Sequence, residues 1–242
     1  VLPFTDRRSR EPLGALVSNA ALRRALFECV QAQDNCDLIA ESTAHIGDID
    51  DKGASVRLQD DRTLAGKLLV AADTRFSALR QSQDIGAHTV DFGRTMLACR
   101  VRHTQAHDNI ATEWFDRGQT IAMLPLLEGQ SSFVLTLDTL EMAGIKSLRA
   151  EAFAREVERR TQRRWGDITL TSERFYYPLI AVYADRFVAP RFALLGDAAV
   201  GMHPVTAHGF NFGLRGAFGL GQEILGAIRQ SKDIGAFDGL RR

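Results

Sequence analysis

Two stretches of the chain, and one pair of histidines, carry residue types whose spacing allows chemistry. The first stretch, Arg191–Ile228, joins an apolar run, Phe192–Leu195, to Gly196-Asp197 and then to Ala207-His208-Gly209-Phe210-Asn211. The apolar run has the pattern of a buried strand. The residues after Ala207 open a helix, with Phe210, Leu214, Ala217, Phe218, Gly221 and Leu225 spaced three and four apart. A strand, a tight turn and a glycine-rich helix start make a site for an anionic or carbonyl-bearing ligand. The first N–H groups of a helix have no internal partner, and its aligned peptide dipoles favour negative charge there. Gly209 and Gly213 leave that face bare, so a flat ligand can approach the backbone closely.

The second stretch is Lys67–Arg80, KLLVAADTRFSALR. Leu68–Ala72 reads as a strand covered on both faces. It ends in Asp73 and leads into Ser77-Ala78-Leu79-Arg80. A carboxylate at the end of such a strand accepts hydrogen bonds from sugar hydroxyls or backbone N–H groups. His203 and His208 are the histidines nearest the first stretch. With an unperturbed pKa of about 6.5, His208 is a candidate proton carrier, with a space-filling role as its alternative.

The elements that must position these residues follow from periodicity. Ser18-Asn19 caps a helix through Leu22, Ala25, Leu26, Cys29 and Val30. Asp37–Ala44, Ala54–Gln59 and Thr63-Leu64 read as strands around the turn Asp50-Asp51-Lys52-Gly53. Phe92–His103, Ala111–Phe115, Gln119–Pro125 and Ser131–Leu137 alternate or run apolar as strands, with turns at 116–118 and 128–129. Ser147–Gly166 reads as one helix capped by Ser147 and stopped by Gly166, with Phe153 and Val157 facing inward. Its arginines are interleaved with Glu151, Glu156 and Glu158, the pattern of a solvated face. Ile168–Leu170 and Arg174–Val182 return as strands, the latter with the aromatic run Phe175-Tyr176-Tyr177, expected in the core or along a substrate cavity.

Composition narrows the class. The 242 residues are 45% hydrophobic and 25% charged, enough to bury a sizeable core. Thirty basic and thirty acidic residues cancel, so no net field draws the chain to nucleic acid. Cys29, Cys36 and Cys99 stand in no metal-ligand spacing and are expected as reduced thiols, with no metal site. No apolar run approaches a membrane span. The chain begins at Val1 and is read as part of a longer protein.

Gly196-Asp197-Ala198-Ala199, His203-Pro204 and Gly209-Phe210-Asn211 together resemble the second flavin motif of the FAD- and NAD(P)H-dependent aromatic-ring hydroxylases. The branch most similar in these residues is the hydroxylases of ubiquinone biosynthesis. Asp73 through Arg80 resembles the family's Asp-Gly-x-x-Ser-x-x-Arg motif, which serves FAD and NAD(P)H. Three departures from the family stand near the first motif: Ala207-His208 replaces Gly-Gln, and Gly216 replaces Asp. A fourth is Thr74 at the glycine position of the second motif, where a β-branched residue resists positive φ. The family's opening strand and Gly-x-Gly-x-x-Gly, the seat of the FAD pyrophosphate, have no counterpart in these residues. The 242 residues alone are therefore expected to hold FAD weakly.

The resemblance implies an α/β (α+β) fold like that of p-hydroxybenzoate hydroxylase. A partial FAD-binding Rossmann-like layer (14–83 and 184–242) would accompany a mostly antiparallel substrate-binding sheet (84–183). It implies that Asp73, Gly196, Asp197, Pro204, Ala207, His208, Gly209, Phe210 and Asn211 line the cofactor, with Asp197 on the ribityl or pyrophosphate part. It implies hydroxylation of an aromatic ring, possessing or lacking a polyprenyl tail, with NAD(P)H as reductant. Such a protein is expected in the cytoplasm, with peripheral contact to the inner membrane left open. The rivals are flavin halogenases and isoprenoid reductases of the same fold and, from another class, a cofactor-free fragment or assembly module. The colour of the purified protein separates the last two from the rest.

Overall fold

The structure is a computed structural model and describes residues 14–204 and 208–236. Helix α1 (Asn19–Gln31) begins where its cap predicts: Ser18 is extended, and its hydroxyl accepts the Ala21 N–H. Strands β1 (Ala44–Ile49), β2 (Ala54–Leu58) and β3 (Thr63–Gly66) follow, then β4 (Leu69–Ala71) and the short helix α2 (Ala78–Gln81). The middle holds β5 (Ala87–His103), β6 (Thr112–Asp116), β7 (Gln119–Pro125) and β8 (Gln130–Asp138), then helices α3 (Thr139–Ser147) and α4 (Ala150–Arg160). The chain ends through β9 (Ile168–Leu170), β10 (Phe175–Ala184), β11 (Val188–Ala189), β12 (Phe192–Leu194), β13 (Val200–Gly201) and helix α5 (Gly209–Arg229).

The described residues form two compact units, one of 14–39 and 94–178, the other of 40–93 and 179–236. The borders at 93/94 and 178/179 fall within the unbroken strands β5 and β10. Gly93, at φ 63°, stands at one border and Pro178 at the other. Residues 14–39 group with 94–178 instead of with 40–83; α1 buries no side chain, so core packing does not decide its place.

In the first unit β5, β8, β7 and β6 pair antiparallel in that order, and β9 pairs with β5. Strand β8 alternates strictly, burying Ser131, Phe133, Leu135 and Leu137. Leu97, Cys99, Val101, Ile121 and Met123 complete that face, and Met142, Ile145, Phe153, Ala154 and Val157 cover it from the two helices. The helix expected over Ser147–Gly166 is corrected to the shorter Ala150–Arg160, and it is preceded by α3, which was not expected. Asp138 caps α3 by accepting the Leu140 N–H at 2.9 Å, and Ser147 lies at the end of α3, donating to Gly144 O. Extended Leu148 then breaks the run. The overlooked signal was Asp138 with Glu141 three residues on, the spacing of a capping box.

The arginine-rich face of α4 is laced with ion pairs: Arg159 and Arg160 to Glu156, Arg160 to Glu141, and Arg163 to Glu158 and Asp167. Of the aromatic run, only Tyr176 packs against the core, while Phe175 and Tyr177 are exposed, as strand alternation requires. Burial pushes the Cys99 thiol up to about 12, whereas Cys29 and Cys36 are exposed. A disulfide-exchange reagent at pH 8 is therefore expected to titrate two thiols in the native protein and a third only after denaturation. Three fast-reacting native thiols would contradict the burial of β5.

In the second unit β1, β2 and β3 form an antiparallel meander whose turn is held by Asp50 Oδ1, accepting from Lys52 and Gly53. The strand expected over Asp37–Ala44 is corrected: it begins only at Ala44, and Leu38 and Ile39 upstream are exposed. A second sheet has the order β11-β12-β4, with β12 and β4 parallel. Strand β4 is not covered on both faces as expected, since Val70 is exposed on this edge strand while Ala71 is buried. The core here is Ala71, Ile85, Ala184, Phe192, Leu194, Ala198 and Ala199. Buried Arg191, at φ 60°, ties this sheet to its surroundings through Asp233 and the carbonyls of Asp51 and Lys67.

Candidate functional site

The two stretches separated in sequence meet at one edge of the parallel pair. Leu69, Val70 and Ala71 lie opposite Phe192, Ala193 and Leu194, and the Leu195 N–H donates to Ala71 O at 2.9 Å. Asp73 and Asp197 therefore leave the carboxyl ends of neighbouring parallel strands, where ligands bind in open α/β sheets. Gly196 turns the chain at φ 59°, and residues 196–198 form one 3₁₀ turn. Helix α5 crosses this turn closely. A Cβ on Gly213 would lie 3.7 Å from Gly196 Cα, and one on Gly216 would lie 3.2 Å from Leu195 Cδ1. Gly213 thus permits backbone-level approach of the helix, and Gly216 leaves room for the Leu195 side chain.

The start of α5 is open. His208 holds helical angles and provides no side-chain cap, and the N–H groups of Gly209, Phe210 and Asn211 have no partner among the described residues. The first backbone bond from this helix onto its cap runs from the Phe212 N–H to His208 O at 2.9 Å. Although its apolar residues recur at helical spacing, α5 buries no side chain, and Phe210, Leu214, Phe218 and Leu225 are exposed. At the Gly196 turn the helix passes closest through the small residues Gly213 and Gly216.

Between the two aspartates lies a pair of arginines. Thr74 does not take positive φ; its hydroxyl accepts the Phe76 N–H at 3.2 Å and holds the turn without glycine. Ser77 is fully buried and caps α2 by accepting the Arg80 N–H. Buried Arg80 donates to Arg75 O and Ala198 O at 3.0 and 3.1 Å, which bolts the Asp73 loop to the Asp197 turn. Among the described residues, buried Arg80 Nε has no partner. Arg75 reaches Asp197 Oδ2 at 3.2 Å and Ile180 O at 2.8 Å.

The expected residues are thus placed as follows. Asp73 is exposed at the strand end, Gly196 and Asp197 form the turn, and Gly209, Phe210 and Asn211 open α5. Pro204 is exposed, and the His203 ring next to it meets Phe92 edge-on at 4.7 Å. His208 is exposed, with its ring edge toward Phe212. Ala207 lies outside the described residues. Sequence reasoning missed Arg75, whose partner stands 122 positions away and leaves no local signal. It also missed an apolar cavity of about 480 Å³ in the second unit, lined by His88, Val90, Ala181, Tyr183, Met202 and Phe212 among others.

The fold is shared with FAD-dependent monooxygenases of the p-hydroxybenzoate hydroxylase type. PqsL of Pseudomonas aeruginosa, in complex with 2-aminobenzoylacetate, matches with a TM-score of 0.77 at 22% identity, over 88% of this chain and 61% of that one. HpxO of Klebsiella pneumoniae, complexed with FAD and uric acid, gives 0.67 at 22% identity, over 93% of this chain and 57% of that one. The chain belongs to the FAD binding domain family, which matches residues 15–235. Ubiquinone hydroxylase UbiM of Neisseria meningitidis is 42% identical over 224 residues, 93% of this chain and 49% of that protein. Ubiquinone hydroxylase UbiL of Rhodospirillum rubrum is 35% identical over 249 residues, 100% of this chain and 58% of that protein. The chain spans about half the length of the curated relatives it matches.

Proposed function

We propose that these residues belong to an FAD- and NAD(P)H-dependent monooxygenase that hydroxylates an aromatic ring in ubiquinone biosynthesis. The observation that supports this reading is the meeting of the carboxyl ends of β4 and β12, which lead to Asp73 and Asp197, with helix α5, whose Gly213 passes Gly196 closely. The relatives named as ubiquinone hydroxylases supply the substrate class. The second unit would carry the cofactor and the first the substrate sheet.

The donor set fits a flavin. The N–H groups of Gly209, Phe210 and Asn211, without partners among the described residues, suit an electron-rich carbonyl or anionic edge, favoured further by the helix dipole. Asp197 Oδ1 has no partner among the described residues and is left to accept from a ribityl hydroxyl. Gly196 and Gly209 provide bare backbone for a flat ring, and Asp73, exposed after β4, is a second acceptor. Pro204 has no N–H and shapes a wall without a competing donor. His208, exposed at the helix start, is the candidate to carry a proton to or from the ring site. The apolar cavity bordered by His203 and Phe212 would keep water from an apolar substrate. When bound, FAD supplies the redox chemistry that places one oxygen atom of O₂ on the ring, with NAD(P)H as reductant.

Among the described residues no helix is long and apolar enough to cross a membrane. A polyprenylated substrate would then be met by peripheral contact with the inner membrane. The test is made on the full gene product: FAD titration by flavin fluorescence, then NAD(P)H-dependent hydroxylation of a prenylated phenol. Hydroxylated product with one FAD per chain is expected. A colourless protein with no affinity for FAD would leave the assembly-module reading in its place.

A further inference from the structure

We propose that Arg75 is a positioning residue of the cofactor site, holding the Asp197 carboxylate by one oxygen and offsetting its charge so that a diphosphate-bearing flavin is accepted. The inference rests on the reading of Asp197 as a flavin ligand. Arg75 occupies a built seat. Its Nη1 donates to Ile180 O at 2.8 Å and its Nη2 to Asp197 Oδ2 at 3.2 Å. The side chain crosses bare backbone at Gly201, where a Cβ would lie 2.8 Å from Arg75 Cβ and 3.6 Å from both Cδ and Nε. Strand β13, which carries Gly201, is fixed by its pairing to Val182 and Tyr183, so the gap is held open. Arg80 ties both partners from below, accepting neither charge: it donates to the carbonyl of Arg75 and to that of Ala198, next to Asp197.

Folding stability does not account for this arrangement. The side chains of Arg75 and Asp197 are 31% and 44% exposed, and ion pairs so open to water contribute little to stability. The pair has a clearer use toward a ligand. Asp197 engages Arg75 through Oδ2 alone, and Oδ1 has no partner among the described residues. A carboxylate fixed in this way presents one free oxygen to a hydroxyl donor without a rotamer search. Its negative charge would otherwise repel the phosphates of the same cofactor; the guanidinium beside it cancels that repulsion.

The experiment measures the FAD dissociation constant of the full gene product by flavin fluorescence, with the melting temperature of each variant recorded. Arg75→Met is expected to weaken binding about tenfold, the scale of one hydrogen bond to a charged group. Arg75→Lys, which keeps the charge and loses the fork, is expected to recover most of that loss. Gly201→Ala, which pushes Arg75 from its seat without removing it, is expected to weaken binding as Arg75→Met does. In an Asp197→Ala background, adding Arg75→Met is expected to change the constant less than about twofold, because a positioning residue has nothing left to position. Equal fold losses in both backgrounds, or unchanged affinity in Arg75→Met, would overturn the assignment while leaving the flavin site intact. No FAD binding by the wild type would overturn both readings together.

Discussion

Phe133→Ala is expected to destabilise the protein by about 3–5 kcal/mol, the cost of removing a large aromatic ring from a core that cannot close over the gap. Phe133 is fully buried at the middle of β8, opposite Cys99 on β5 and Met123 on β7. Its ring meets that of Phe153 on α4 edge-on, with centroids 6.2 Å apart. The Arg174 guanidinium lies 4.9 Å from the Phe153 ring centroid, and its two terminal nitrogens donate to Ile145 O and Leu148 O. Loss of the Phe133 ring thus loosens α4 at the point where Arg174 ties it to the α3–α4 junction. Packed rings of this kind add about 0.5–1.5 kcal/mol beyond the area they bury. Urea denaturation followed by far-ultraviolet circular dichroism reads the loss as a lower midpoint at unchanged slope. Leu127→Ala, at a position 86% exposed, serves as the control and should stay within about 0.5 kcal/mol of wild type. A loss under about 1 kcal/mol for Phe133→Ala would mean that α3 and α4 do not cover the sheet face as described.

The sheet of the first unit was legible in the sequence because its strands alternate. In β8 every second residue from Ser131 to Leu137 is buried, and the turns at Gly118 and Gly129 take the positive φ that glycine allows. Helix α3 was not legible, and Ser147, which ends it, imitates the cap of the helix that follows. Phe153 and Val157 keep inward spacing, and periodicity of that kind reports which face is buried without fixing where the helix starts and stops.

In the second unit the strand ends at Asp73 and Asp197 were legible, each from an apolar run that stops at a carboxylate. Their parallel pairing places them together, as two similar motifs in one layer suggested. The orientation of α5 was not legible. Its apolar residues recur at helical spacing, which predicts an inward face, yet the contact with Leu195 and Gly196 is made by Gly213 and Gly216. A helix that touches through its small residues gives no hydrophobic signal at the point of contact. Arg75 was hidden for the same kind of reason: a lone arginine in a loop reads as solvated until the carbonyl of Ile180, the carboxylate of Asp197 and the gap at Gly201 are seen around it.

Asp197→Ala is expected to weaken FAD binding by about tenfold or more, whereas His208→Gln is expected to leave it nearly unchanged. The contrast follows from what each side chain can offer. Asp197 sits on the 3₁₀ turn at the end of a buried strand, with one oxygen held by Arg75 and the other open to a ligand hydroxyl. A charge-assisted hydrogen bond of that kind contributes about 1.5–3 kcal/mol, which converts to about one to two powers of ten in the dissociation constant. His208 offers its ring to solvent and to the edge of Phe212, and it makes no cap bond to the helix start. Glutamine there leaves the N–H groups of Gly209, Phe210 and Asn211 unchanged, so the affinity that they supply should persist. Flavin titrations on the full gene product separate the two variants, and NAD(P)H-dependent hydroxylation adds a second readout. A His208→Gln protein that binds FAD normally and loses turnover identifies His208 as the proton carrier. One that keeps turnover reduces His208 to a space-filling role. Wild-type affinity in Asp197→Ala would remove Asp197 from the flavin site, and with it the main reason for placing the cofactor at the edge shared by β4 and β12.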